Sequence, residues 1–290
     1  MFDFLKYRFF GLGFSAVLIT SLIGLYFYKG GLQYSVEFTG GTQVLFKFEN
    51  PVGSKSLLSS LKEKWPGVIA REFSEREFLI RIPVESHEGD ARGLADRIRE
   101  VIQANFADNQ VTVEKSEVVG PGVGADLRWK STMSVLLALL LMMLYIAWRF
   151  WSVGFAAGAV AALLHDSIVI LGLLLLFGRD ISINVIGAIL AVLGYSINDT
   201  IVIFSRMKEN LKKMHGAPLY EIVNTSLNQT FKRTLLTSFS TLLPVGAMFL
   251  LGGEVLRDFS LVLLLGFFFG TYSSIYIASP VMMLLYKEEK

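Results

Sequence analysis

The chain contains no cysteine, which excludes disulfides, thiol catalysis and cysteine metal sites and is compatible with a domain on the oxidising side of a membrane. Its three histidines, at 87, 165 and 215, are too far apart in sequence for metal-ligand spacing. No bound cofactor or metal is therefore implied. No nucleophile–base set is evident either, so an enzyme is not expected. Charge is also sparse: 18% of residues are charged and the formal net charge is +2, which gives no electrostatic footprint for nucleic acid. What the chain has is apolar sequence, 53% of its 290 residues. That is too apolar for an ordinary soluble domain and too long for one span, so it reads as a polytopic helical membrane protein.

Residues 9–28 form a first apolar run after Lys6 and Arg8. The run is longer than a signal-peptide core and no small-x-small site precedes Lys29, so an uncleaved anchor is expected. Five further spans are expected at about 131–148, 153–177, 183–204, 235–251 and 259–286, the last kinked at Pro280. The domain boundaries that follow are 1–29 for the terminus and first span, 30–127 for a soluble domain, and 128–290 for a five-helix membrane domain.

The soluble stretch has no run long enough to span. Residues 42–48 alternate, with Val44, Phe46 and Phe48 on one face of a strand. Ser54 opens a helix with Leu57, Leu58 and Leu61 on one side. Residues 68–73 and 77–83 read as strands around the turn Ser74-Glu75-Arg76, residues 89–106 as a second amphipathic helix, and residues 111–119 as a fourth strand. Strand, helix, strand, strand, helix, strand is the order of the split βαβ, ferredoxin-like α+β arrangement. Glu85, His87 and Glu88 fall beside a helix start and read as a solvated turn. Gly120-Pro121-Gly122-Val123-Gly124 reads, by composition, as a linker returning to the membrane.

Six spans place both termini on one side. That side would hold Lys6, Arg8, Arg149, Arg206, Lys208, Lys212, Lys213, Lys232, Lys287 and Lys290, against chiefly Arg179 and Arg257 in the opposite short loops. Arg128 and Lys130 run against the trend. The asymmetry supports cytoplasmic termini and an extracytoplasmic soluble domain.

The fourth span is the unusual one, because it carries Asn198 and Asp199 where hydrocarbon is expected. Gly187, Ala191, Gly194 and Asn198 follow at helical spacing, a small-residue stripe that lets a neighbouring helix approach and leaves the acid facing protein. The third span carries His165 and Asp166 near its middle, with Gly158, Ala161 and Ala162 as a close-packing face. Arg233 would open the fifth span, with Thr237, Ser240 and Thr241 continuing its face. Antiparallel fourth and fifth spans could lie side by side and bring Asp199 and Arg233 together, directly or through water. A proton relay is one reading, since a carboxylate takes up and releases a proton as its surroundings alternate between wet and apolar or between having and lacking a cation. The other is that these groups only fix helix packing and register, or that Arg233 snorkels to the headgroups.

The stretches Val36-Glu37-Phe38-Thr39-Gly40-Gly41, Val119-Gly120-Pro121-Gly122-Val123-Gly124, His165-Asp166, Gly194-Tyr195-Ser196-Ile197-Asn198-Asp199-Thr200 and Arg233-Thr234-Leu235-Leu236-Thr237-Ser238 occur in this order along nearly the whole chain. Together they resemble the SecF family of bacterial protein-export membrane subunits, in which aspartate is common at the position of Glu37. The resemblance implies an RND-superfamily half-transporter of six helices, one before and five after its outer domain, in the bacterial cytoplasmic membrane. Its implied partners are a SecD-type subunit in a heterodimer, a SecYEG-type channel, the translocating preprotein, and a YajC-type accessory protein. It further implies use of the proton-motive force, with Asp199 and Arg233 in the proton-conducting network and Asn198, His165 and Asp166 as further members. Phe38, Thr39, Gly40, Gly41, Gly120, Pro121, Gly122, Gly124 and Gly194 are its motif positions. A non-conducting structural subunit and an RND exporter of small apolar molecules are the competing functions.

Overall fold

The computed structural model describes residues 1–83 and 93–286, so Glu85, His87, Glu88, Lys287 and Lys290 lie outside the described residues. Two compact units are present: Tyr34–Thr132, and Met1–Gln33 together with Met133–Lys290.

In the first unit a short helix α2 (Val36–Thr39) leads into β1 (Gly41–Phe48), followed by α3 (Ser54–Lys62), β2 (Ile69–Ser74), β3 (Glu77–Ile82), α4 (Leu94–Asn105) and β4 (Val111–Val119). All neighbouring strands are antiparallel in the order β2-β3-β1-β4, the split βαβ sheet that the element order requires. Period two places Val44, Phe46 and Phe48 of β1 beside Phe78, Ile80 and Ile82 of β3, and α3 and α4 cover them with Leu57, Leu61, Leu94, Ile98 and Ile102. The helix expected from residue 89 is described from Leu94, after Gly93. On the surface Lys47 lies 3.1 Å from Glu114 and 3.6 Å from Glu77 across the strands. The hydrogen bond to Glu114, then the charges of Glu114 and Glu77, push the ammonium pKa up.

Gly41 is held at φ 126°, and a Cβ there would lie 2.6 Å from the Ile82 carbonyl oxygen. Gly41→Ala therefore meets both a disfavoured backbone conformation and a neighbouring main chain, and should cost about 1–3 kcal/mol. Hydrogen exchange of the β1 and β3 amides in the full chain is the check; unchanged protection would mean that the strand absorbs the side chain.

Residues 120–124 correct the linker reading. Pro121 begins a continuous helix, α5 (Pro121–Phe150), and proline at the first helical position gives up no bonded N–H. A Cβ on Gly124 would sit 3.0 Å from the Gly40 nitrogen and 3.1 Å from the Phe38 carbonyl oxygen, so the two glycine-bearing motifs meet main chain to main chain. Arg128, one turn on, stacks 4.1 Å from the Tyr34 ring centroid.

The second unit is helical: α1 (Arg8–Lys29), the membrane part of α5, α6 (Val153–Leu176), α7 (Ile183–Lys213), α8 (Leu219–Leu251), α9 (Gly253–Ser273) and α10 (Ser279–Leu285). Six candidate membrane spans are present among the described residues, the last running through α9 and α10. A π-helical segment, Ser274–Ala278, joins those two helices. Where the sequence led to an expected kink at Pro280, the structure has this π-helical turn just before the proline, which has no N–H for the i−4 carbonyl.

The fifth span also differs from expectation, since α8 begins at Leu219 and Arg233 lies well inside it. Ile222, Val223, Ser226, Leu227 and Thr230 bury one face of this amphipathic extension, and Asn210 of α7 donates to Ser226 and Gln229 at 2.8 and 2.9 Å. Hydropathy alone misses a helix that continues past the apolar run on polar contacts. Small residues allow close crossings: Cβ atoms added at Gly158, Gly172 and Gly270 would meet Ala278 O at 2.5 Å, Leu22 Cβ at 2.7 Å and Ser196 Cβ at 3.0 Å, and one at Gly266 would clash with Val192.

Candidate functional site

Two polar centres lie in the helical unit, one around Asp199 and one around Asp166. The first is around Asp199 on α7. Asp199 is 4% exposed and its Oδ2 has no hydrogen-bond partner. Among the described residues no ion pair within 4 Å joins it to Arg233, which is exposed on α8, yet the guanidinium lies near enough to act on the Asp199 carboxyl electrostatically; of the direct or water-mediated interaction expected from the sequence, the direct ion pair is not formed in this conformation. Asn198 is exposed as well. So are Gly187, Ala191 and Gly194, and nothing in the chain lies within 4 Å of a Cβ added at either glycine. The small-residue stripe is therefore real but bare: among the described residues no helix fills it.

Beside Arg233 is a cavity of about 240 Å³, lined also by Ser205, Arg206, Glu209, Gln229 and Thr230. Arg206 is paired with Glu209 at 2.9 Å, whereas Arg233 forms no such close pair among the described residues and faces the Asp199 carboxyl at longer range. The hydroxyls expected on the fifth span are divided. Thr241 donates to Tyr195 OH at 3.2 Å, whereas Ser240 is exposed and donates to its own helix at Thr237 O. Ser238, also on α8, shares a 2.7 Å hydrogen bond with Thr271 of α9.

The second centre is wholly internal. Asp166 is 0% exposed and accepts at Oδ2 from Ser196 Oγ at 2.6 Å and Ser273 Oγ at 2.9 Å, with His165 Nδ1 3.0 Å from Oδ1. His165 Nε2 lies 3.0 Å from Ser15 Oγ of α1, and Ser15 lies 3.0 Å from Tyr272 OH, which donates to the Gly11 carbonyl at 2.7 Å. One network thus joins α1, α6, α7 and α9. The structure brings His165 and Asp166 together as neighbours in space as well as sequence, but it keeps Asp199 out of their network, although Ser196 and Asp199 share a helix. Ser15, Ser196, Ser273 and Tyr272 were not singled out from the sequence as site residues. The available signal was a lone serine or tyrosine at helical spacing from a glycine, as in Gly11/Ser15 and Gly270/Ser273.

These features define a class: a six-span helical membrane protein with one split βαβ domain, acids buried in its bundle, and an open small-residue face on an acid-bearing helix. A family profile described as "Protein export membrane protein SecD/SecF, C-terminal" matches residues 98–288, and one described as "SecD/SecF GG Motif" matches residues 27–52. The chain belongs to the SecD/SecF family of protein-export membrane proteins.

It is 40% identical to the protein translocase subunit SecF of Desulfurispirillum indicum over 97% of this chain and 90% of that protein. It is 36% identical to the SecF subunit of Escherichia coli O157:H7 over 98% and 88%. The Thermus thermophilus SecDF subunit is 40% identical over 93% of this chain, which spans only 36% of that longer protein. The crystal structure of the Thermus SecDF, described as a translocon-associated membrane protein, superposes with a TM-score of 0.88 at 38% identity over 98% of this chain and 38% of that one. A super-membrane-facing form of SecDF gives 0.70 over the same shares.

Proposed function

We propose that this chain pairs with a SecD-type subunit, associates with a SecYEG-type channel and lets the proton-motive force assist preprotein export across the bacterial cytoplasmic membrane. The observation that carries the reading is Asp199: a buried carboxyl whose Oδ2 has no hydrogen-bond partner, on a helix whose Gly187-Ala191-Gly194-Asn198 stripe is exposed among the described residues. A carboxyl so placed cannot hold charge cheaply. A partner helix on that stripe would enclose Asn198 and leave Arg233 at the interface edge, where a shift of either helix brings the guanidinium towards Asp199 or away from it. Arg233 stays charged throughout, so its approach favours the carboxylate and proton release, and its retreat favours proton uptake. The membrane potential supplies about 2.3 kcal/mol per charge per 100 mV, enough to bias such a switch.

Orientation follows from where the bundle gathers its cations. The Phe2 N–H donates to Asn228 at 2.8 Å, Tyr220 to Asp3 at 2.7 Å, and Lys208 to the Phe150 carbonyl at 3.1 Å. The start of the chain, the end of α5, the end of α7 and the start of α8 are thereby at one end, with Lys6, Arg8, Arg149, Lys212 and Lys213. At the other end Arg179 pairs with Asp258 at 3.2 Å. By the positive-inside rule this charge asymmetry supports a cytoplasmic first end, and with it the extracytoplasmic soluble domain expected from the sequence.

The test is preprotein export into sealed inner-membrane vesicles, with native chain or Asp199→Asn assembled equally with the SecD-type partner, with and without a proton gradient. Asparagine keeps the size and removes the titratable charge. The gradient-dependent part of export should vanish in the variant. Stimulation that persists unchanged would make the chain a non-conducting structural subunit at this position.

A further inference from the structure

The donors and acceptors around His165 can be counted, and the count fixes how many protons the site holds. Tyr272 has one hydroxyl proton, and it goes to the Gly11 carbonyl, which only accepts. The 3.0 Å contact between Tyr272 and Ser15 then requires Ser15 to donate. Ser15 has no second proton, so its 3.0 Å contact with His165 needs a hydrogen on Nε2. On the other side of the ring, Nδ1 and Asp166 Oδ1 are 3.0 Å apart and also need one proton between them, while both hydroxyls at Oδ2 donate. A neutral imidazole beside a carboxylate has only one proton for these two positions.

We propose that the His165–Asp166 pair is a proton-holding site, separate from Asp199 and filled in this conformation. The second proton rests on Nδ1, as imidazolium with carboxylate, or on Oδ1, as imidazole with carboxylic acid. Both forms are net neutral and satisfy every contact. The emptied form would leave a net negative charge at a carboxyl that is 0% exposed, which burial penalises.

Emptying the site has a defined structural consequence. When the proton leaves, one hydrogen remains on the ring, at Nδ1 facing the carboxylate, and the bare Nε2 becomes an acceptor. Ser15 must turn its hydroxyl to Nε2, and the Ser15–Tyr272 hydrogen bond is lost unless Tyr272 abandons Gly11. The proton therefore controls a link between α1 and the last span. The chain passes from α1 at Lys29 to the soluble unit at Tyr34, so the controlled helix is the one that leads into that unit. The other titratable side chain in this network is Tyr272; Ser15 from α1, Ser196 from α7 and Ser273 from the last span complete its surroundings.

The experiment is solid-state NMR of the full chain in lipid bilayers with 15N-labelled histidine, His87 and His215 replaced by glutamine so that His165 gives the signal. At neutral pH Nε2 should carry a directly bonded proton, together with a second one on Nδ1 or, in a chain also 13C-labelled at aspartate, a protonated Asp166 carboxyl; Nε2–H beside a bare Nδ1 and an ionised carboxylate overturns the proposal. A bare Nε2 that accepts from Ser15 overturns the proposal. The same spectrum is recorded for Asp199→Asn, in which the Nε2 proton should be unchanged; its loss would merge the two sites into one and overturn their separation. The reading is independent of export, so a failed relay at Asp199 and an empty site at His165 are distinguishable results.

Discussion

Asp166→Ala is expected to cost the membrane unit about 3–5 kcal/mol, the scale for breaking a buried pair from one side. The substitution removes the group on which His165, Ser196 and Ser273 converge, leaving each without its partner in a place water does not reach. A buried donor left unpaired costs about 1–3 kcal/mol, and a shared hub multiplies that. For a unit of this size the loss corresponds to a fall of roughly 10 °C in the unfolding midpoint. Asp166→Asn should cost less, because its oxygen still accepts from the two serines and its amide can donate to a neutral Nδ1. The ordering native, Asn, Ala is the signature, read as the temperature at which purified full chain aggregates or loses tryptophan fluorescence. An alanine variant as stable as the native chain would mean that the three donors find other acceptors and that Asp166 is not what ties α7 and the last span to α6.

How far sequence reaches can be judged from particular helices. The split βαβ unit was legible because period two in residues 42–48 and the leucines of 54–62 each report one element's buried face, and four such elements admit few arrangements. The six spans were legible for the same reason. The start of α8 was not, because residues 219–230 are held by polar partners on α7 and have no apolar run to announce them. Residues 120–124 misled in the opposite direction: glycine and proline usually punctuate, but here proline opens a helix and Gly124 is small because Phe38 and Gly40 lie against it.

The candidate site shows the same division. Asp199, His165 and Asp166 stand out as polar groups in apolar sequence, and period 3.6 correctly put Gly187, Ala191, Gly194 and Asn198 on one face. What a single helix pattern cannot contain is the rotation of one helix against the next. That rotation buries Asp199, exposes Arg233 and delivers Ser15, Ser196, Ser273 and Tyr272 from three other helices to the His165–Asp166 pair. Those partners are ordinary residues until the packing is known.

The chain carries two small-residue stripes with opposite expectations, and replacing glycines separates them. Along α6, a Cβ on Gly158 would lie 2.5 Å from the Ala278 carbonyl oxygen and one on Gly154 would lie 3.0 Å from the Tyr286 nitrogen. The obstacles are backbone atoms at the end of the π segment and along α10, so no rotamer change relieves the clash. Gly158→Ala should cost about 1–3 kcal/mol, the usual scale of overpacking. Gly158→Leu has no place to go except by levering α10 off α6. Because Gly158 lies two turns before His165 and Asp166 on the same helix, the displaced last span would also pull Ser273 from Asp166. The leucine chain should fail to accumulate in membranes. On α7 the outcome inverts: Gly194→Ala meets nothing within 4 Å in this chain, and alanine is the better helix former by about 0.5–1 kcal/mol. It should leave the isolated chain as stable as before or slightly more so, and its cost should appear only in co-purification with the SecD-type partner. Equal losses from Gly158→Leu and Gly194→Leu in the isolated chain would mean that both stripes are internal, and the bare face of α7 would no longer support a partner helix there.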